Sequence, residues 1–130
     1  MKWLVTGGGG YIGGHVVLEL INKGIEPVVL DTKPRTSALL QSASYEYVEG
    51  DLRNVDLLDN LFSDFKFEGL VNLAALKSAD ESVAKPELYS EVNFKGVENL
   101  LNFALKYGVK YFLQSSTAAV YGNSRERFVT

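Results

Sequence analysis

The residues best placed to do chemistry begin at Thr6-Gly7-Gly8-Gly9-Gly10-Tyr11-Ile12-Gly13, because six of the chain's twelve glycines gather between Gly7 and Gly14. Set between a strand and a helix, such a run suits a pyrophosphate. Gly7 makes the tight turn, Gly10 lets the backbone approach the anion, and Gly13 lets the helix lie close to the sheet. The amides and the positive dipole end of the helix then hold phosphates with no basic side chain. No Lys-Ser/Thr pair follows, so this is not the loop of a nucleoside triphosphatase. The competing reading is a glycine-rich turn that binds nothing. Asp31 argues for the ligand, since it stands close to the roughly 20-residue offset of a ribose-binding acid in a dinucleotide fold. Its carboxylate accepts hydrogen bonds where ribose hydroxyls would arrive and repels a 2′-phosphate, which favours NAD over NADP. Lys33 and Arg35 read as solvated loop charges, with a 2′-phosphate as their other reading. After Gly50, Asp51 could accept from an adenine amino group and Leu52 could cover its face; a turn or helix-start role is the alternative for Asp51.

These residues need a frame. Lys2-Trp3-Leu4-Val5-Thr6 predicts a buried strand running into the glycines, and Ile12, Val16, Val17, Leu20 and Ile21 recur at helical spacing until Gly24. A second strand is expected at Pro27–Asp31, with Pro27 at its first position. Residues 32–44 are polar, with a weak helical hint at Ala38-Leu39-Leu40. Tyr45–Glu49 predicts a third strand. Asn54 reads as an N-cap, Asp56 suits the first turn, and Leu57, Leu58, Leu61, Phe62 and Phe65 form an apolar stripe. Leu70–Ala75 predicts a fourth strand, and a long helix from Pro86 carries Leu88, Val92, Val97, Leu100, Leu101, Ala104 and Leu105 to a stop at Gly108. Lys110–Gln114 is the fifth strand. Short apolar runs alternating with helices imply βαβ units, a doubly wound parallel sheet and, with right-handed crossovers, the strand order 3-2-1-4-5.

Composition removes other classes. At 130 residues the chain is one domain, and 46% hydrophobic residues give it an ordinary core. With no cysteine and one histidine, a disulfide framework, a thiolate nucleophile and a Cys or His metal cluster are excluded. The net charge of −3, with scattered bases, makes nucleic acid an unexpected partner. No apolar stretch approaches the roughly 18 residues of a membrane span, and no signal peptide precedes the first strand, so the expected location is cytoplasmic.

Several segments taken together resemble the extended short-chain dehydrogenase/reductase family in its NAD-dependent epimerase/dehydratase branch, and within it the UDP-hexose 4-epimerases. They are Val5-Thr6-Gly7-Gly8-Gly9-Gly10-Tyr11-Ile12-Gly13, Val48-Glu49-Gly50-Asp51-Leu52-Arg53, Ala74-Ala75-Leu76-Lys77, Glu81-Ser82-Val83 with Lys85-Pro86, and Ser115-Ser116-Thr117-Ala118-Ala119-Val120-Tyr121-Gly122. The match runs from Met1 to Thr130. It implies NAD as cofactor, with Tyr11 and Ile12 under the pyrophosphate, Asp31 and its neighbour Thr32 at the adenosine ribose, and Asp51 and Leu52 at the adenine. Leu73, Ala74, Ala75 and Lys77 would follow the cofactor, Lys77 reaching the nicotinamide-side ribose or phosphate. Asn93 would support the cofactor from the long helix, Ser115 would position the loop after the fifth strand, and Thr117 would stand as the catalytic hydroxyl beside the sugar's 4-hydroxyl.

The implied reaction takes a hydride from the sugar's 4-position, passes through a 4-keto intermediate and returns the hydride to the other face. The family's base, a tyrosine helped by a lysine four residues later, does not occur after Val120-Tyr121-Gly122 here, and Tyr121 is followed by Arg125. These 130 residues are therefore expected to be a cofactor-binding portion, inactive alone, with the C-terminal substrate domain absent. Ala118-Ala119 stands where dehydratases place an Asp-Glu pair, which favours epimerase over dehydratase. Gly14, Thr32 and Leu73 replace residues more usual in relatives. A homodimer is expected for the full-length protein, and self-association through an open fifth strand for the fragment. The second hypothesis is a free-standing, never catalytic dinucleotide-binding or sensor module; the reading frame beyond Thr130 discriminates. His15 reads as a surface or cap residue, Trp3, Tyr45 and Tyr47 as packing residues, and Tyr121 as packing or substrate-lining. Gly96 inside a helix implies a close approach of something to its backbone.

Overall fold

The computed structural model describes residues 1–33, 44–74 and 84–115. Five strands, β1 (Lys2–Thr6), β2 (Glu26–Asp31), β3 (Glu46–Glu49), β4 (Gly69–Asn72) and β5 (Tyr111–Gln114), form one sheet in the order β3-β2-β1-β4-β5. Every neighbouring pair is parallel. This is the expected doubly wound order.

Alternation along the strands splits the core in two. Val5 and Val29 face α1 (Tyr11–Asn22), where Val17 and Leu20 close a small cluster edged by Trp3, Tyr45 and Tyr47. Leu4, Val28, Leu30 and Leu70 face the other way. They pack under α2 (Val55–Phe65) and under the C-terminal part of the long helix, with Leu58, Leu61, Phe62 and Leu100 all buried there. The Asn54 side chain caps α2 by accepting from the Leu57 amide at 3.1 Å, and Asp56 lies in its first turn, as the sequence predicts.

The strand ends differ slightly from expectation, for local reasons. β2 begins at Glu26, and the Glu26 amide donates to the Met1 carbonyl at 3.0 Å. Pro27, next in line, faces the β3 side, where pairing starts only at Val28, so its missing N–H costs no ladder bond. β3 begins at Glu46 and β5 at Tyr111. β4 ends at Asn72, because the Asn72 side chain takes the Ala74 amide at 3.3 Å and turns the chain out of the ladder. The hint at Ala38–Leu40 lies outside the described residues, as does Ala75.

The long helix is interrupted. It runs as α3 (Pro86–Ser90), a π-helical turn (Glu91–Lys95) and α4 (Gly96–Lys106), with Gly108 at φ +70° just beyond. Gly96 sits at the join, and a Cβ there would meet the Leu52 side chain at 3.1 Å. Close approach is thus the reason for a glycine at that point. No helix among the described residues is long and apolar enough to cross a membrane.

Candidate functional site

The glycine loop joins β1 to α1 at the carboxyl end of the sheet. Gly7 adopts φ +72°, and its amide donates to the Leu30 carbonyl at 2.8 Å. A Cβ on Gly7 would meet the Ala74 nitrogen and the Leu73 carbonyl carbon at 2.8 Å, so the loop touches the chain leaving β4. A Cβ on Gly13 would run into the Gly7 carbonyl and stand 2.6 Å from the Gly8 Cα. The loop and the first turn of α1 are thus in backbone contact.

Gly10 is the N-cap of α1, in extended conformation and with no side-chain cap. A helix's first amides have no acceptor within the helix, and a Cβ on Gly10 would find only the Gly7 carbonyl, at 3.5 Å. The helix end is therefore open to an anion, with amides at Tyr11, Ile12 and Gly13 and the dipole behind them. Tyr11 and Ile12 are 82% and 58% exposed. Ile12, expected on the apolar stripe of α1, instead lies exposed in its first turn, beside the open helix end. His15 is exposed, with its ring edge-on to Tyr11 at 4.9 Å.

Asp31 ends β2 beside this loop. Its Oδ2 accepts from the Gly9 amide at 3.0 Å and its Oδ1 from the Lys33 amide at 3.1 Å. Each oxygen keeps acceptor capacity, so the carboxylate can take further donors from a vicinal diol. Thr32 lies between these contacts, and Lys33 is exposed. Arg35 lies outside the described residues. Tyr47 of β3 completes the corner by donating to the Lys33 carbonyl at 2.5 Å.

Burial first, then the charge of Asp31 and the nearby Tyr45 and Glu49, push the Tyr47 hydroxyl up from its ordinary 10.0 to about 12. Between those values the folded chain keeps a proton that the unfolded chain releases, so stability falls as pH rises through that window. Tyr47→Phe removes this contribution. The urea midpoint of the wild type should drop more between pH 8 and pH 11 than that of the variant, and equal drops would contradict the assignment.

Asp51 is held by its own turn. It accepts from the Arg53 amide at 2.9 Å and from Arg53 Nη2 at 2.7 Å, and the Arg53 hydrogen bonds keep its pKa below the usual carboxylate range. Leu52 is only 5% exposed, with its side chain under Gly96 and its carbonyl accepting from Asn99 at 2.9 Å. It packs the core, and little of it faces outward.

Leu73, Ala74 and Ser115 leave the sheet edge together. The Leu73 amide donates to the Thr6 carbonyl at 3.0 Å and the Ser115 amide to the Asn72 carbonyl at 3.1 Å. Asn93 comes from the π-helical turn and lines a cavity of about 390 Å³ with Phe94, Val97, Glu98, Leu101 and Gln114. Ala75, Lys77, Ser116, Thr117 and Tyr121 lie outside the described residues. The structure thus groups Gly7, Gly10, Tyr11, Ile12, Gly13, Asp31, Leu73 and Ala74 around one sheet edge. The sequence reading missed a buried polar link, in which the Thr6 hydroxyl donates to Asn72 and Asn72 Nδ2 donates to Gln114 at 2.7 Å. The signal was a lone asparagine in the apolar run Leu70–Leu73.

A parallel 3-2-1-4-5 sheet with a glycine turn at the first helix and an acid at the end of the second strand defines a dinucleotide-binding fold of the Rossmann type. The model of the NAD dependent epimerase/dehydratase family matches residues 3–129. The chain is 38% identical to the UDP-glucose 4-epimerase of Klebsiella pneumoniae over 130 residues, covering 95% of this chain and 94% of that relative. It is 40% identical to the Mus musculus UDP-glucose 4-epimerase, covering 94% of this chain but 39% of that enzyme. Against UDP-glucose 4-epimerase 3 of Oryza sativa it spans 35% of the relative's length. The solved UDP-glucose 4-epimerase of Bifidobacterium longum, in complex with NAD+ and UDP, superposes with a TM-score of 0.90 at 33% identity, over 100% of this chain and 41% of that one. The Thermus thermophilus enzyme, complexed with NAD, gives 0.90 at 34% identity, over 100% and 42%. The chain belongs to the NAD dependent epimerase/dehydratase family.

Proposed function

We propose that these 130 residues are the NAD-binding portion of a nucleotide-sugar 4-epimerase acting on a UDP-hexose. The observation that carries the reading is the open, glycine-lined N-terminus of α1 with the Asp31 carboxylate hydrogen-bonded into the same loop. Phosphates meet the first-turn amides, the adenosine ribose meets Asp31 and Thr32, and Asp51 meets the adenine. Of Leu52, the small exposed remainder borders that base. Leu73, Ala74, Ala75, Lys77, Asn93 and Ser115 lie along the nicotinamide half, and Thr117 is the hydroxyl beside the sugar. When bound, NAD supplies a reversible hydride acceptor for the sugar's 4-position. The chain's own work is to orient and to shield.

Ala118-Ala119 has no proton to give or take, which favours epimerisation over dehydration. No Tyr-x-x-x-Lys follows Val120-Tyr121-Gly122 within the 130 residues, so the chain binds cofactor but does not turn over alone. Cytoplasmic location and galactose metabolism follow from that reading. Tyr111 and Leu113 on the edge strand are each 53% exposed, which supports self-association of this chain; the homodimer belongs to a longer chain carrying it.

The experiment is a thermal melt with NAD. At about 100 times Kd the ligand adds about 2.7 kcal/mol, several degrees in Tm. No shift at millimolar NAD would end the proposal, and conversion of UDP-glucose to UDP-galactose by the 130 residues would overturn the argument from the missing base.

A further inference from the structure

The buried polar link lies in one row across three strands. Thr6 is in register with Asn72, and Asn72 with Gln114. By alternation these side chains share the face of Leu4, Leu70 and Phe112, under α2 and α4. Thr6 and Asn72 are wholly buried, while Gln114 is exposed and opens on the cavity beside Asn93 and Phe94. The neighbouring position in the row is Leu30, so an apolar side chain fits this layer, and packing alone does not require an amide there.

The bonds run in one direction. The Thr6 hydroxyl and the Ala74 amide both donate to Asn72 Oδ1. Asn72 Nδ2 donates to Gln114 Oε1 at 2.7 Å, and Gln114 Nε2 donates to the Ser115 carbonyl at 2.8 Å. Thr6 is followed by the glycine loop, Asn72 by Leu73 and Ala74, and Gln114 by Ser115. The row therefore ties together the three loops that leave the carboxyl ends of β1, β4 and β5.

We infer that Asn72 and Gln114 are positioning residues, which fix the spacing between the glycine loop and the β4 and β5 loops so that both halves of one dinucleotide are met at once. This rests on the NAD-binding reading above. The Asn72 amide is wholly buried, so it is costly to leave unpaired and holds this geometry well.

The test compares NAD with ADP, which reaches only the glycine-loop half, in the wild type, Gln114→Leu and Gln114→Glu. Gln114 is chosen because it is exposed, whereas Asn72→Leu would leave the Thr6 hydroxyl and the Ala74 amide without their acceptor. Gln114→Leu should raise the Kd for NAD about tenfold and change that for ADP by less than about twofold, as expected for losing two side-chain hydrogen bonds. Gln114→Glu keeps the acceptor for Asn72 and loses the donor to Ser115, so it should fall between. Amide exchange is measured on the same ligand-free proteins. Ala74 and Ser115 should exchange about tenfold faster in Gln114→Leu, with Val5 and Val29 unchanged. Unchanged NAD affinity, or equal losses for NAD and ADP, would overturn the inference. If the wild type takes neither ligand, the cofactor reading has failed and the exchange arm still decides the row: unchanged Ala74 and Ser115 would overturn it, and faster exchange would support it.

Discussion

Gly13→Ala should abolish NAD binding and cost about 3 kcal/mol of stability, at the upper end of overpacking penalties. The added methyl would run into the Gly7 carbonyl and stand 2.6 Å from the Gly8 Cα. Both are backbone, so no side-chain rotation relieves the contact. Either α1 moves off the sheet or the loop opens, and each displaces the amides at the open helix end. Gly10→Ala is the internal comparison, because a methyl there meets only the Gly7 carbonyl, at 3.5 Å. It should fold with near wild-type stability, since its backbone is in the extended region open to any residue. Urea midpoints and NAD titration of the two variants separate a packing contact from an approach surface. Equal stability and affinity in Gly13→Ala would contradict the close helix-to-loop contact.

Asp31→Asn should weaken NAD about tenfold and narrow the preference for NAD over NADP. The shape is kept, but one oxygen becomes a donor, facing either the Gly9 or the Lys33 amide. Hydrogen bonds to a charged acceptor contribute about 1.5–3 kcal/mol, and ribose hydroxyls would lose that acceptor as well. Losing the charge also removes the repulsion of a 2′-phosphate, with the Lys33 amide close by. Paired titrations of NAD and NADP read both effects. An unchanged ratio between the two cofactors would show that Asp31 does not set the choice.

Much of this frame is legible in the sequence. Val28-Val29-Leu30 and Leu70-Val71 are short apolar runs bounded by turns, and their alternation with helical stripes left few arrangements of a parallel sheet. Gly7 to Gly13 and Asp31 were legible because their roles depend on nearby chain, within one βαβ unit. The Asn72–Gln114 pair was not, since it depends on the register of strands 42 residues apart. Leu52 follows a Gly-Asp turn and reads as exposed, yet the space opened by Gly96 buries it. The π-helical turn at Glu91–Lys95 left no mark on the periodicity, because Val92 and Val97 suit an unbroken helix as well.

In the proposed function the glycine loop seats the pyrophosphate of NAD. An NMR titration of the isotope-labelled 130-residue chain with NAD tests it most directly. Saturable amide shifts are expected at Gly9, Gly10, Tyr11, Ile12 and Gly13, with Lys33 following, while Val17 and Leu58 stay in place. No shifts at millimolar NAD, or shifts gathered at the exposed residues of β5 with the glycine loop silent, would contradict it.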